Sequence, residues 1–294
     1  MKATPAASVS VIISFYREVD QLALTLAALE VQQAATQAAR KAATFEIIIA
    51  DDGSPPEIVT ALSTMLDECP IASRHVHHED LGFRKTRILN RAVEAASGEY
   101  LVFIDMDCIP HPSFVRAHVQ YRERGVVLEG RRVHLSPKIT SALTPEAVRA
   151  GTLQSLPVFI DGILGKTHGM RKGFLIRNRL LRRLVNRSTR GLVGSNFSLH
   201  REDLLAVNGF DERYEAPGTG EDADLQVRLQ GMGCRLVNVH NQAIQYHLHH
   251  AIRERSPHNR ALLDQVKADH AWVTPYGITS AAVRSDDSDG LRSS

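Results

Sequence analysis

The chain has 294 residues, of which 35 are Lys or Arg and 33 are Asp or Glu, so its formal net charge is +2. Hydrophobic residues make up 43% and charged residues 23% of the sequence. These values exclude a wholly disordered chain and a strongly basic nucleic-acid-binding protein, and the length allows one large domain or two small ones.

The first part of the chain predicts strands that alternate with helices. Apolar, β-branched runs predict buried strands at 8–16, 45–50 and 100–104, and a short segment at 75–78 is a further candidate. Helices are predicted over 20–43, 57–67 and 86–96, the first with Asp20 as its N-cap and the last closed by Gly98. This alternation predicts an α/β fold with a mainly parallel sheet flanked by helices.

Beyond residue 110 the regular alternation is lost. We expect strand and loop over 125–160, an amphipathic helix over 174–187, a helix over 222–231 and a strand over 234–239. The last ten or so residues have no core-forming content, so we expect them to be disordered.

Polar residues follow three of the predicted strands: Tyr16, the pair Asp51-Asp52, and the triplet Asp105-Met106-Asp107. Ligands of parallel sheets collect at the carboxyl ends of the strands, so these residues predict a polar site there. Two carboxylates spaced as in the triplet suit Mg²⁺ or Mn²⁺. Taken alone, the triplet also fits a solvated acidic turn, and the pair fits an Asx turn.

Two later segments carry further candidate groups. In GEDADL, which starts at Gly220, the acidic residues either complement the dipole of the predicted helix or supply a general base. Histidines cluster at the end of this region, namely His240, His247, His249 and His250. They fit a zinc site, a mixed site with one His and two carboxylates, or ordinary packing.

The order of these motifs resembles the inverting family 2 glycosyltransferases of the GT-A fold. The matching segments are SVSVIISFY, IIIADDGS, GFRKTRILNRAVEAASGEYLVFIDMDC, GSNFSLHREDLLAVNGFDE, GEDADL and YHLHH. In addition, NGFDERYEAPGTGEDADLQVRL resembles the carboxyl-terminal segment of galactosyl- and N-acetylgalactosaminyltransferases and of bacterial chondroitin-type polymerases.

The resemblance covers about residues 8–250 and implies one GT-A domain. Its nucleotide-binding half would be 8–110. Its acceptor half, 111–250, would carry a basic helix at 171–190, and 251–294 would form a C-terminal extension.

The resemblance also assigns residues to the nucleotide sugar. Tyr16 would stack on the base with Ser14 nearby, and Asp52 would bind the base. Arg84 would contact base or phosphate. Asn196 would touch the donor sugar or shape its pocket.

The remaining roles concern the metal ion and the transfer reaction. By the resemblance, Asp105 would meet the ribose and the hydrated metal, and Asp107 and His247 would coordinate Mn²⁺ or Mg²⁺, with His249 as the alternative to His247. Asp222 would be the catalytic base and Glu221 would hold acceptor hydroxyls. Arg84 and Lys85 would add positive charge where the leaving diphosphate develops negative charge.

The predicted function is therefore metal-dependent, inverting transfer of a hexose or N-acetylhexosamine from a nucleotide-diphosphate sugar, expected to be a UDP-sugar. The acceptor would be a glycan or lipid-linked glycan of a bacterial-type surface polysaccharide or lipopolysaccharide. Two alternatives remain: a polyprenyl-phosphate glycosyltransferase and a non-catalytic nucleotide-sugar-binding module. No nucleic-acid partner is expected.

Three dispersed cysteines and the lack of an 18-residue apolar run predict a cytoplasmic protein without a transmembrane helix. Between Ile163 and Arg201 there are ten Lys and Arg and no Asp or Glu, so the rest of the chain carries 25 basic against 33 acidic residues. The segment 166–190 fits a solvated basic helix, a surface that docks on the anionic inner face of the inner membrane, or contact with an acidic acceptor.

Overall fold

The secondary structure begins with the alternation that the sequence predicts. The strands are β1 (Val9–Phe15), β2 (Phe45–Asp51), β3 (Ser73–His77), β4 (Tyr100–Asp105), β5 (Cys108–Pro110), β6 (Val126–Glu129), β7 (Arg131–His134), β8 (Phe197–His200), β9 (Arg235–Asn238) and β10 (Ile244–His247). The helices are α1 (Val19–Ala38), α2 (Pro56–Asp67), α3 (Lys85–Ala95), α4 (Phe114–Gln120), α5 (Pro137–Ser141), α6 (Pro145–Arg149), α7 (Leu156–Ile163), α8 (Arg179–Val185), α9 (Arg201–Ala206), α10 (Glu221–Gly231) and α11 (Pro257–Asp269).

These elements come from a computed structural model that describes residues 9–38, 45–186, 189–218, 220–251 and 257–279. The predicted disorder of the last ten residues and the predicted end of the first helix near residue 43 lie outside these ranges. Within them, no helix is long and apolar enough to cross a bilayer.

The central sheet has seven strands in the order β3-β2-β1-β4-β8-β6-β9. Strands β3, β2, β1 and β4 are parallel, β8 is antiparallel to both of its neighbours, and β6 is parallel to β9. A second sheet has the order β5-β10-β7. The predicted α/β fold with a mainly parallel central sheet is confirmed, and the predicted halves 8–110 and 111–250 share this sheet.

Alternating side chains of the central strands fill an apolar core on each face. In β1, Val11 and Ile13 pack with α1, α2 and α4, whereas Ile12 packs with α3, α9 and α10. Helix α1 is apolar on two sides, because Leu22 and its neighbours face the central sheet while Leu24 and others face the second sheet. This helix therefore fixes the two sheets relative to each other.

Two predicted helix boundaries are corrected in the first half. Asp20 lies in the first turn of α1 instead of capping it. Gly98 does not end α3 as a cap. A Cβ at this position would lie 2.6 Å from the backbone nitrogen of Ser10, so the glycine allows β1 and the start of β4 to approach each other closely.

The region after 125 differs most from the prediction. Strand and loop were expected over 125–160, but α5, α6 and the start of α7 also lie there. Of the predicted helix over 174–187, the seven residues of α8 are helical, whereas 174–178 is not. Asn178 caps α8 by accepting hydrogen bonds from Leu180 and Leu181, while Asn241 donates to the carbonyl groups of Arg171, in a short 3-10 helix, and of Phe174, outside any helix.

The C-terminal segment after 250 packs on α10. Leu262, Leu263 and Val266 of α11 are buried, and Asn259 Nδ2 donates to the Ala216 carbonyl group. The ring of Trp272 lies against Gly231, the last residue of α10. Residues 257–279 thus support the helix that begins with the predicted catalytic pair.

A buried ion pair also anchors α10, and its loss should destabilise the fold. Arg228 is fully buried, and its Nε donates to Asp224 Oδ2 at 2.8 Å while its Nη1 donates to the carbonyl groups of Val207 and Gly209. Arg228→Leu leaves the Asp224 charge buried and unpaired, which should cost about 3 kcal/mol of unfolding free energy in urea titration.

The matched control is Arg235→Leu, which removes an exposed ion pair with Glu123. It should cost less than about 1 kcal/mol. Equal unfolding midpoints for the two variants would contradict this account of α10.

Candidate active site

The carboxyl ends of β1 and β4 meet as predicted. Ser14 pairs with Asp105 across the two strands, and its Oγ donates to Asp105 Oδ1 at 2.5 Å. Tyr16 follows β1, and its hydroxyl donates to Asp80 Oδ2 at 3.1 Å. Arg17 stacks on the Tyr16 ring and also binds Asp80. The aromatic ring is thus held at the edge of the sheet where the base was expected.

The two residues of the Asp51-Asp52 pair have different surroundings: Asp51 stabilises a turn, and Asp52 faces the start of α3. Asp51 is fully buried and accepts hydrogen bonds from the His75 ring and from the N–H of Ser54, three residues on, so its side chain stabilises the turn after β2. Asp52 accepts from the backbone N–H of Arg84 at 3.0 and 3.2 Å, and its Oδ1 lies 2.9 Å from His78 Nε2. Asp52 therefore joins the end of β2 to the start of α3.

Arg84 and Lys85 stand where α3 begins. The Arg84 guanidinium lies 3.3 Å from Glu215 Oε2, on the loop before α10. Lys85 Nζ lies 2.6 Å from Asp105 Oδ1. Burial would lower the pKa of Lys85, but the negative charges of Asp105, Glu221 and Asp222 outweigh it and raise that pKa. The Lys85 ammonium is thus bonded to the end of β4, and its pKa responds to the negative charges at the first turn of α10.

Glu221 and Asp222 open α10 beside this ammonium. Asp222 Oδ2 accepts a hydrogen bond from Gly194 N–H at 3.1 Å, and Oδ1 accepts from Ala223 N–H at 2.8 Å. Burial, and then the charge of the neighbouring carboxylate, raises the pKa of Glu221, and burial also raises that of Asp222. Both carboxylates are more basic than exposed ones, which suits a proton acceptor.

A second cluster contains Asp107, His247 and His250. Asp107 Oδ2 lies 3.3 Å from His247 Nε2 and 3.2 Å from His250 Nε2, and the two ring nitrogens are 3.1 Å apart. Burial would raise the pKa of Asp107, but hydrogen bonds from the two imidazoles outweigh it and lower that pKa. One carboxylate and two imidazoles within 4.8 Å of one another form a donor set that fits a divalent cation such as Mn²⁺.

His250 is the residue of this cluster that the sequence prediction missed. The prediction considered His247 and His249, which share a face only if the chain stays extended. Strand β10 ends at His247, and the chain then turns, so that His250 returns to Asp107. His249 is outside the cluster, and its backbone N–H donates to Thr140 Oγ1.

Asp105 and Asp107 also lie beside Cys108 and Arg132. Burial, and then the charges of Asp107 and Asp105, raises the pKa of the Cys108 thiol. The Cys108 sulfur and oxygens of the two carboxylates lie within 4.8 Å of one another, so they form a second donor set among the described residues. Burial would lower the pKa of Arg132, but Cys108 and the two aspartates raise it. Arg132 is a second cation of the site, and no sequence motif indicated it.

Asn196 is not part of this surface. Its side chain is fully buried, its Nδ2 donates to the carbonyl groups of Arg131 and Ala243, and its Oδ1 contacts His118. No exposed atom remains for a sugar, so the prediction that Asn196 touches the donor is not supported. The residue joins the two sheets behind the site.

Comparisons with known proteins decide the family. The family described as "Glycosyl transferase family 2" matches residues 10–205, more than half of the chain. The chain belongs to glycosyl transferase family 2. A second family, described as "N-terminal domain of galactosyltransferase", matches residues 184–251. The predicted resemblance and the prediction of a glycosyltransferase are thereby confirmed at the level of the family.

Two bacterial proteins illustrate the similarity. Chondroitin synthase of Escherichia coli is 26% identical over 251 residues, which is 81% of this chain and 34% of that protein. Chondroitin synthase of Pasteurella multocida is 24% identical over 200 residues, which is 65% of this chain and 20% of that protein. The chain thus spans about a third or less of the length of these relatives.

Solved structures support the GT-A fold. The crystal structure of S. aureus TarS has a TM-score of 0.55 and 15% identity, and covers 90% of this chain and 39% of TarS. TarS residues 1–349 in complex with UDP gives a TM-score of 0.54 with 89% of this chain covered and 64% of that one.

The histidine cluster yields a prediction that separates two neighbouring exposed histidines. His250→Ala should weaken the binding of Mn²⁺ added alone by at least about tenfold, because it removes one of three donors. His249→Ala should leave the affinity unchanged. Isothermal titration calorimetry with each variant measures the difference. Equal loss in both variants, or none in His250→Ala, would contradict the assignment of His250.

Proposed function

We propose that this chain is a metal-dependent, inverting glycosyltransferase that moves a hexose or N-acetylhexosamine from a UDP-sugar to a saccharide acceptor in bacterial surface polysaccharide synthesis. The observation that carries the proposal is the position of Lys85. Its ammonium is bonded to Asp105 at the end of β4, and the negative charges of Glu221 and Asp222 at the start of α10 help to raise its pKa. The residues proposed to bind the nucleotide would therefore lie near those proposed to accept the proton.

The donor nucleotide would lie across the ends of β1 and β2. Tyr16 offers an aromatic ring for the base, and Asp52, whose backbone N–H donates to the Phe15 carbonyl group, offers a carboxylate. Asp105 would meet the ribose. The choice of UDP is supported by the relation in fold to TarS residues 1–349, whose structure contains UDP.

The leaving diphosphate requires positive charge, because its negative charge grows as the bond to the sugar breaks. Asp107, His247 and His250 would hold Mn²⁺ or Mg²⁺. Such an ion, when bound, acts as a Lewis acid toward phosphate oxygens. Lys85 and Arg132 of the chain itself add two cations next to Asp105.

Asp222 would accept the proton of the acceptor hydroxyl. The N–H groups of Gly194 and Ala223 hold its carboxylate in one orientation. As the proton moves to Asp222, the hydroxyl oxygen attacks the anomeric carbon from the face opposite the diphosphate. The bond to the diphosphate breaks in the same displacement, so the anomeric centre inverts. Glu221 would hold other acceptor hydroxyls.

The two alternative functions are less well supported. A polyprenyl-phosphate glycosyltransferase would share the first half of the site, but the second family match at 184–251 favours a saccharide acceptor. A non-catalytic binding module would not need Asp107 or Asp222, and both stand in the site. A lipid-linked acceptor, a cytoplasmic location and association with the inner membrane belong to the same proposal.

The role of Asp222 predicts the effect of an isosteric change. Asp222→Asn keeps the size and shape of the side chain but removes the proton acceptor, so transfer should fall at least about a hundredfold while UDP binding stays within about twofold. Radiolabelled sugar transfer and calorimetric UDP titration measure the two effects. A variant that transfers sugar at the wild-type rate would show that another group accepts the proton.

A further inference from the structure

Exposed apolar side chains are concentrated in one part of the molecule. Nine of the fourteen large apolar side chains that are exposed among the described residues lie between Leu156 and Val185. Four belong to α7 or to its C-cap, namely Leu156, Ile160, Ile163 and the C-cap Leu164. Their spacing puts them on one side of the helix, while Val158 and Asp161 on the other side are buried. Helix α7 therefore turns an apolar side to the solvent.

Helix α8 also turns its apolar side to the solvent. Leu180, Leu181, Leu184 and Val185 are exposed, and Leu180 keeps 75% of its surface accessible. The basic side chain of Arg182 instead faces the protein, where its guanidinium lies over the ring of Tyr121 at 4.5 Å. A surface helix of a globular domain ordinarily buries its apolar stripe, so this orientation is reversed.

The two helices are attached to the same loop of the fold. Phe174 is exposed and lies edge-on to Phe159 of α7, with ring centroids 5.6 Å apart. Asn241, in the loop between β9 and β10, donates to the Phe174 carbonyl group and accepts from Asn186 at the end of α8. We call the exposed apolar side chains of α7 and α8, with Phe174, the α7–α8 face.

Uncompensated positive charge accompanies the α7–α8 face. Lys166, Arg171 and Arg177 are exposed, and none forms an ion pair with an acidic group of the described residues. No acidic residue occurs in the sequence from 162 to 200, and Asp161 is buried with its Oδ2 accepting from Thr167 Oγ1. An apolar surface flanked by basic residues is the pattern of a segment that inserts into the headgroup region of an anionic bilayer.

We propose that the α7–α8 face docks the protein on a bilayer that contains anionic lipids. The apolar side chains enter the boundary between headgroups and acyl chains, while the lysine and arginines meet lipid phosphates. A second copy of the chain fits this face poorly, because two segments that each carry ten Lys and Arg would be brought together. The inference deepens the membrane association that is part of the proposed function, and it does not rest on the proposed catalytic step.

Flotation of the full chain with vesicles tests the proposal. We expect the protein to float with phosphatidylcholine–phosphatidylglycerol vesicles at low salt and to remain unbound with pure phosphatidylcholine. Added salt should weaken the binding, because it screens the interaction with lipid phosphates. Absence of binding to both vesicles, or equal binding to both, would overturn the proposal and leave the face to a protein partner.

Matched variants test whether the named side chains carry the binding. Leu180→Ser with Leu184→Ser should lower the fraction bound to anionic vesicles at least about fivefold. The control pair, Leu205→Ser with Met232→Ser, changes two exposed apolar side chains elsewhere and should bind like the wild type. Ile163→Ser with Leu164→Ser is a second test on α7.

Two further readouts separate this proposal from folding and from catalysis. Thermal unfolding and hydrolysis of the donor without vesicles should be the same in all variants, since the changed side chains are exposed. A folded α8 variant that still floats like the wild type would contradict the proposal. Loss of flotation with unchanged donor hydrolysis supports the docking proposal. If the wild-type protein fails to hydrolyse the donor, that result contradicts only the proposed catalytic function.

Discussion

Like charges concentrate at the carboxyl edge of the central sheet, and the ammonium of Lys85, bonded to Asp105, offsets part of their repulsion. Asp105 ends β4, whereas Glu221 and Asp222 begin α10, which is far away in sequence. Without a cation between them, these carboxylates would repel one another in a partly buried place. The negative charges of these three residues raise the pKa of Lys85, whereas burial is the main cause of the raised pKa values of Glu221 and Asp222. The position of α10 depends on the buried Asp224–Arg228 pair and on the packing of α11.

A second group of charges surrounds the place where a diphosphate would lie. Asp107 faces two imidazoles, and Arg132 stands beside Asp105 and Asp107. The arrangement separates two tasks. The histidines and Asp107 offer a compact donor set to a divalent cation, while Lys85 stays next to the carboxylates that would accept a proton. Strand β10, which ends at His247, follows the loop that contains Asn241, and the α7–α8 face is attached to that loop. Membrane docking and metal binding would therefore be connected through a short stretch of chain.

The sequence predicts the elements whose apolar pattern is strong and whose ends are marked. Strands β1, β2 and β4 are continuous apolar runs bounded by polar residues, and each lies within one residue of its expected end. Helices α5 and α6 are too short, at five residues each, for a helical period to be recognised. Among the described residues of the predicted helix at 174–187, only 179–185 are helical, and Asn241 binds the Phe174 carbonyl group that a longer helix would have used. The positions of His250 and Arg132 in the site depend on how the chain turns after β10 and on how β7 pairs. Local sequence patterns do not contain that information.

The central claim is that this edge of the sheet binds a metal and a nucleotide sugar. The most direct measurement is the release of nucleoside diphosphate from a panel of UDP-, GDP- and dTDP-sugars, with Mn²⁺ or with EDTA and without an acceptor. The account predicts slow hydrolysis of one or a few UDP-sugars that stops in EDTA and returns with Mn²⁺. Hydrolysis that persists in EDTA, or a folded protein that hydrolyses no member of the panel, would contradict it.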